Sequence, residues 1–190
     1  VSMLVGRKGI SRRAEGGRDG AAARAASDSL YTDKQGKVTS TLNIVSVDLQ
    51  TGTVVLTRNN PAPFFIARGE QVDCIGTESC PIGISRSVRP AISEVPIEPG
   101  LTIVVYTDGL VHAGERTGRP MDVCTSLTAM LEEQDPGPQS IADALLAEAV
   151  RLDDGRPADD ISVLVLKVMK RLGDDVRRMT VRLPIRGNGA

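Results

Sequence analysis

The sequence predicts an α+β fold, a layered sandwich of two mostly antiparallel β-sheets flanked by α-helices. Two patterns lead there. Runs of β-branched residues come in turn-separated pairs, and helical segments stand between groups of strands instead of after each one. That order belongs to antiparallel α+β chains and not to a βαβ repeat. Several runs are also apolar at successive positions, so both faces need cover, and two packed sheets with helices outside supply it. A chain of 190 residues is large enough for such a core and reads as one domain over residues 1–190.

The elements follow in order. "VSMLVGR", residues 1–7, reads as a short strand, and "KGISRRAEGG" predicts no element. An Ala-rich helix is expected around residues 21–26, with Asp19 as its cap. "KVTSTLNIVSVDL" is β-branched, and residues 42–49 are apolar on both faces, a covered strand. Gln50-Thr51-Gly52 turns it into "TVVLTR", the partner of a hairpin. "NNPAP" ends that pairing, since proline cannot donate to a ladder.

"FFIAR" and "QVDCI" around Arg68-Gly69-Glu70 predict a second hairpin. After an irregular stretch over residues 76–90, "AISEVPI" and "LTIVVYT" around Glu98-Pro99-Gly100 predict a third. Helices are expected over residues 121–133 and 140–152. The latter opens on Ser140-Ile141-Ala142-Asp143, a capping box with Asp in place of Glu. "ISVLVLKV" reads as another strand buried on both faces. Residues 171–190 read as an edge strand, "RRMTVRLP", and a tail whose last four residues are disordered.

Composition narrows the function classes. With 23 basic and 24 acidic residues the net charge is −1, so no overall field draws nucleic acid or an anionic membrane. Aromatic residues are 2% of the chain and Trp is absent, which argues against base-stacking platforms and aromatic cages and leaves an aliphatic core. Cys74, Cys80 and Cys124 form no CxxC pair, and one His cannot complete a zinc finger with them. They are expected as small buried hydrophobes in a reducing cytoplasm. No run approaches the roughly eighteen apolar residues of a membrane span, and residues 1–7 are too short for a signal sequence. The expected location is cytoplasmic, with neither nucleic acid nor membrane as partner. Oligomeric state leaves no mark in the sequence.

Two carboxylate motifs stand out. In "VVYTDGLVHAG", Asp108 sits where a buried strand ends, and in "LDDGRPADDISVLV", Asp159 and Asp160 sit just before another. Asp-Gly alone is a favoured turn dipeptide. If the two strands are antiparallel neighbours, however, Asp108 and Asp159 converge on one edge of the sheet. Two carboxylates ~4 Å apart repel by roughly 4 kcal/mol at an effective dielectric near 20, so a site that keeps both ionised calls for a cation between them. Oxygen ligands without His or Cys select hard ions, Mg²⁺ or Mn²⁺. Asp153-Asp154-Gly155 lacks the spacing of a calcium loop and is expected to be solvated.

"LTIVVYTDGL" after "EPG", with "RPADDISVLVLKV" further on, resembles the bacterial, sporulation-phosphatase (SpoIIE-type) branch of the metal-dependent protein phosphatases, the protein phosphatase 2C-like superfamily. "TLNIVSVDLQTGTVVLTRNNPAPFFI" and "SCPIGI" are similar to that family's hairpin and to the segment before its next strands. The resemblance covers about residues 37–168. It implies paired sheets flanked by helices, two Mn²⁺ or Mg²⁺ ions at one edge, and hydrolysis of phosphoserine or phosphothreonine. The substrate it implies is a phosphorylated regulatory protein such as an anti-sigma-factor antagonist. Carried over by motif, Asp108 and Asp159 are metal ligands and the catalytic pair. Gly109 of the "TDG" motif belongs to the same metal edge, and Asp160 lies beside it as a supporting or loop residue.

The resemblance also implies two further Asp ligands from the N-terminal half, in a "GD" after an early strand and in a "DGxGxG", and the N-terminal half of this sequence contains neither. Two expectations follow. Either the encoded chain holds an acidic, Gly-containing segment at Arg7 and Lys8 that this sequence omits, or the domain is a non-catalytic binding module that kept the sandwich. His112, the sole histidine, reads as a surface loop residue, with a general-acid role as its alternative. Arg86 and Arg89 are candidates for contact with phosphate or an acidic partner.

Overall fold

The structure is a computed structural model that describes residues 2–8, 15–133 and 135–170. In chain order its elements are β1 (Ser2–Lys8), α1 (Glu15–Lys34), β2 (Leu42–Asp48), β3 (Thr53–Asn59), β4 (Phe64–Arg68), β5 (Gln71–Ile75), β6 (Ala91–Pro96), β7 (Leu101–Tyr106), α2 (Asp108–Val111), α3 (Val123–Glu133), α4 (Pro138–Leu152) and β8 (Val163–Lys167). They build two four-stranded sheets, ordered β1-β2-β3-β6 and β5-β4-β7-β8. Every pairing is antiparallel except β1 with β2, which is parallel and needs the long crossover through α1.

Alternation along the strands explains why so many are apolar on both faces. In β7, Leu101, Ile103 and Val105 join Val45, Val54, Leu56, Phe64 and Ile66 in the core between the sheets. Val104 and Tyr106 point the other way, into a cluster with Leu127, Ile141 and Leu145 of α3 and α4. On the far side, Leu42 and Ile44 of β2 pack with Ala23 of α1. The layers therefore run helix, sheet, sheet, helix, as expected from the sequence.

Several local expectations are corrected. "AISEVPI" and "LTIVVYT" are not a hairpin: β6 pairs with β3, whereas β7 lies between β4 and β8 in the other sheet. The Glu98-Pro99-Gly100 turn carries the chain across, with the Gly100 amide donating to the Val168 carbonyl at 2.8 Å. A turn signal cannot reveal which sheet receives the next strand. Asp19 is no cap, because α1 begins at Glu15 and Asp19 is buried inside it. Helix α4 starts at Pro138 with Gly137 as its cap, and Asp143 accepts from Gln139 instead of closing a box. Helix α3 is capped by Asp122, whose Oδ1 accepts the Thr125 amide at 3.0 Å.

Side chains depart from expectation as well. The cysteines are free, with Cys74 and Cys80 exposed, since β5 is an edge strand and Cys80 lies in the irregular stretch. The core is not purely aliphatic: Phe64, Phe65 and Tyr106 are all buried, and the Phe65 and Tyr106 rings stack at 6.0 Å. Every residue of β8 is half-buried, because among the described residues β8 ends its sheet. β1 runs through Lys8, so the junction expected at Arg7 and Lys8 falls within a strand. The edge strand "RRMTVRLP" and the tail lie outside the described residues. No helix among the described residues is long and apolar enough to cross a membrane.

Candidate functional site

The end of β7 is where the two carboxylate motifs meet. Tyr106 is paired with Val163 in an antiparallel ladder, so the residues leaving β7 run beside those entering β8. Thr107, 1% exposed, joins them. Its amide donates to the Ser162 carbonyl at 3.1 Å, its hydroxyl donates to the Asp160 carbonyl at 3.1 Å, and that hydroxyl accepts the Ser162 amide at 3.0 Å. Asp108 then opens the single-turn helix α2 with Thr107 in the extended N-cap position. The Asp-Gly pair thus starts a helix and does not reverse the chain.

Gly109 is required by close approach. A Cβ there would lie 2.5 Å from the Asp160 carbonyl oxygen and 3.1 Å from its carbon. Any larger residue would push away the segment that carries Asp159 and Asp160. Having no side chain, Gly109 can offer a metal only its carbonyl oxygen.

The opposite sheet fixes the same point. Asn43 Nδ2 and Asn60 Nδ2 both donate to the Tyr106 carbonyl, at 3.3 and 3.0 Å, and Asn60 Oδ1 accepts the Ala62 amide at 2.9 Å. Two buried amides, Asn43 on β2 and Asn60 directly after β3, therefore pin the strand end directly before Asp108. Buried polar groups cost free energy unless they are bonded, so both asparagines need this carbonyl as much as it holds them.

Asp108 is half-buried, whereas Asp159 and Asp160 are exposed. Asp159 Oδ1 accepts the Asp160 amide at 2.7 Å, which orients one carboxylate oxygen and leaves the other free of protein bonds among the described residues. His112 is an exposed loop residue whose Nδ1 lies 2.9 Å from Glu115 Oε1. The Glu115 hydrogen bond raises its pKa above the usual 6.5, against slight burial, and the charges of Glu115, Asp108 and Asp159 add to the rise.

Two carboxylates and nearby carbonyls have the chemistry of a hard-cation site. They do not fit a two-ion centre. Among the described residues no group of three or more His, Cys, Asp or Glu could hold a metal.

The four residues expected at the metal edge, Asp108, Gly109, Asp159 and Asp160, therefore lie on two chain segments that β7–β8 pairing places side by side. Arg86 instead stacks over Tyr31 of α1 at 5.8 Å, and Arg89 is exposed. Sequence reasoning missed Thr107, Asn43 and Asn60. The only signal was their type, small polar residues within or directly after apolar runs, where a buried hydrogen bond is the usual explanation. Asp153, expected to be solvated, is 1% exposed, and its Oδ1 accepts the Gly114 amide at 3.0 Å.

Comparison with known proteins agrees with this fold. Residues 7–169 match the family of Stage II sporulation protein E (SpoIIE). The chain is 26% identical over 132 residues to Stage II sporulation protein E of Bacillus subtilis (strain 168), covering 70% of this chain and 16% of that protein. It is 26% identical over 140 residues to the protein of the same name from Priestia megaterium, covering 74% of this chain and 23% of that one. The chain thus spans less than a quarter of either relative.

Among solved structures, the phosphatase domain of the cell fate determinant SpoIIE from Bacillus subtilis superposes with a TM-score of 0.59 at 18% identity, over 88% of this chain and 80% of that one. The catalytic domain of the serine threonine protein phosphatase PstP, in complex with two manganese ions, gives 0.63 at 14% identity, over 84% and 74%. At such identities these likenesses speak for the fold. The chain belongs to the SpoIIE family and has the fold of a protein phosphatase 2C-like phosphatase domain.

Proposed function

We propose that the domain is a metal-dependent serine/threonine protein phosphatase acting on a phosphorylated regulatory protein, such as an anti-sigma-factor antagonist. One observation carries this reading: β7–β8 pairing sets the Thr107-Asp108-Gly109 motif against the Asp159-Asp160 motif, with the Thr107 hydroxyl and the bare Gly109 backbone holding the two together. Asp108 and Asp159 would be the protein's ligands to Mn²⁺ or Mg²⁺, with Gly109 contributing its carbonyl and Asp160 holding the Asp159 carboxylate through its amide. The manganese in the PstP structure supports the choice of ion. Divalent ions in such an enzyme supply an activated water and neutralise phosphoryl charge. The described residues offer too few ligands for two ions, so no step is assigned to them here.

That shortage favours a second reading, a non-catalytic module that binds a phosphoprotein without hydrolysing it. Phosphate release from a phosphoserine peptide and from p-nitrophenyl phosphate, with and without Mn²⁺, separates the two. Mn²⁺-dependent turnover that Asp108→Asn abolishes, with the fold intact by circular dichroism, supports the phosphatase. Wild-type turnover in that variant would reduce Asp108 to a helix-start residue. Peptide binding without turnover in the wild type supports the module.

A further inference from the structure

The loop that follows α2 faces the end of α4 across an open cleft of about 610 Å³, lined by Arg116, Thr117, Arg119, Asp153, Asp154 and Arg156. Its walls are fixed. Asp153 Oδ1 accepts the Gly114 amide at 3.0 Å, the Thr117 hydroxyl donates to the Leu152 carbonyl at 2.7 Å, and the Arg119 amide closes the loop onto the Gly114 carbonyl at 2.8 Å. Gly114 permits that closure, with φ of +78° and a position where a Cβ would lie 1.9 Å from the Arg119 carbonyl oxygen. Arg116 Nη2 donates to the carbonyls of Asp153 and Arg156, at 3.2 and 2.9 Å, so its guanidinium is held in place.

The charges in the cleft do not balance. Three guanidinium groups face two carboxylates. Asp153 is buried on an amide and Asp154 is paired with Arg119 at 3.1 Å. Arg116 and Arg156 are exposed and have no carboxylate partner among the described residues. A fixed guanidinium with free N–H groups suits the planar fork of a carboxylate, and preorganisation lowers the entropy lost on binding. The cleft is larger than one small oxyanion needs. Its two walls are the segments that leave Asp108 and lead to Asp159, so a peptide seated at that edge would extend over it.

We infer that this cleft docks an acidic segment of the partner protein, close to the phosphorylated residue that the β7–β8 edge receives. The inference rests on the phosphatase reading for the position of that residue, but the cleft is testable without it. The first test compares KM for two phosphoserine peptides, one flanked by Glu and Asp and one by Ala and Gln. Wild type favours the acidic peptide, and Arg156→Ala and Arg116→Ala together raise its KM about tenfold, equivalent to roughly 1.4 kcal/mol. The change falls in KM and not in kcat. Arg86→Ala, which removes an equal charge from over Tyr31, does not reproduce it.

Arg116 also binds carbonyls, so its loss can loosen the end of α4. Arg156→Ala breaks no side-chain bond seen in the structure and is the cleaner variant. Equal KM for both peptides in wild type, or an unchanged KM for the acidic peptide in Arg156→Ala, overturns the inference. If the domain proves inactive, fluorescence anisotropy with the labelled acidic peptide decides instead. Binding that weakens in Arg156→Ala and at high salt supports the cleft; binding that ignores both, or no binding of the peptide at all, overturns it.

Discussion

Replacing Gly109 by Ala tests how closely the two carboxylate segments are packed. The added methyl would sit 2.5 Å from the Asp160 carbonyl oxygen and 3.4 Å from Ile161 Cγ1. The nearest neighbour is backbone and cannot swing aside. Opening that contact to an ordinary ~3.5 Å moves the segment by about 1 Å. The Thr107 hydroxyl now reaches the Asp160 carbonyl at 3.1 Å, so the same shift stretches that bond beyond hydrogen-bonding range. Overpacking of this kind costs about 1–3 kcal/mol, and the bond contributes about 1 kcal/mol. The better helix propensity of Ala returns up to about 1 kcal/mol. The net loss is about 2 kcal/mol, which lowers the urea midpoint by about 1 M if the slope is near 2 kcal/mol/M. Urea unfolding of both proteins, followed by circular dichroism, measures it. A variant with the wild-type midpoint would refute the close approach, and with it the reason a glycine follows Asp108.

Thr107→Val keeps the shape of the side chain but leaves the Asp160 carbonyl and the Ser162 amide without their partner. A destabilisation of about 2 kcal/mol by urea unfolding is expected, and a neutral result would mean the clamp does not hold the two segments. His112 in the metal-free protein should titrate above 6.5, because Glu115, and then Asp108 and Asp159, favour its charged form. A raised folded pKa makes the contribution to stability complete below the unfolded value and lost as pH rises through the folded one. Proton NMR of the imidazole checks this. Glu115→Gln should bring the midpoint down, and an unmoved midpoint would mean the pair does not form in solution.

Much of this fold was legible because alternation and turns are local signals. β2 and β3, and β4 and β5, pair as their sequences read, and the strands apolar on both faces are those with a sheet on one side and helices on the other. The β6–β7 connection was not legible, since Glu98-Pro99-Gly100 has the same local chemistry whether it closes a hairpin or crosses between sheets. The antiparallel pairing of the strands that carry the two carboxylate motifs was legible from mirrored positions at opposite strand ends. The supports of that site were not. Asn60 reads as a strand breaker beside two prolines, yet its value lies in a carbonyl distant in sequence. Asp153 reads as a solvated loop residue until the loop beginning at Gly114 folds back over it.

The most direct test of a hard-cation site shared by β7 and β8 is calorimetric titration of Mn²⁺ into wild type, Asp108→Asn and Asp159→Asn. Asn preserves shape and removes charge, so a shared ion should lose at least about tenfold in affinity from either change, or roughly 1.4 kcal/mol. The expected result is saturable Mn²⁺ uptake by wild type that weakens similarly in both variants. Wild-type affinity in either variant, or no uptake by the wild type, would contradict the site.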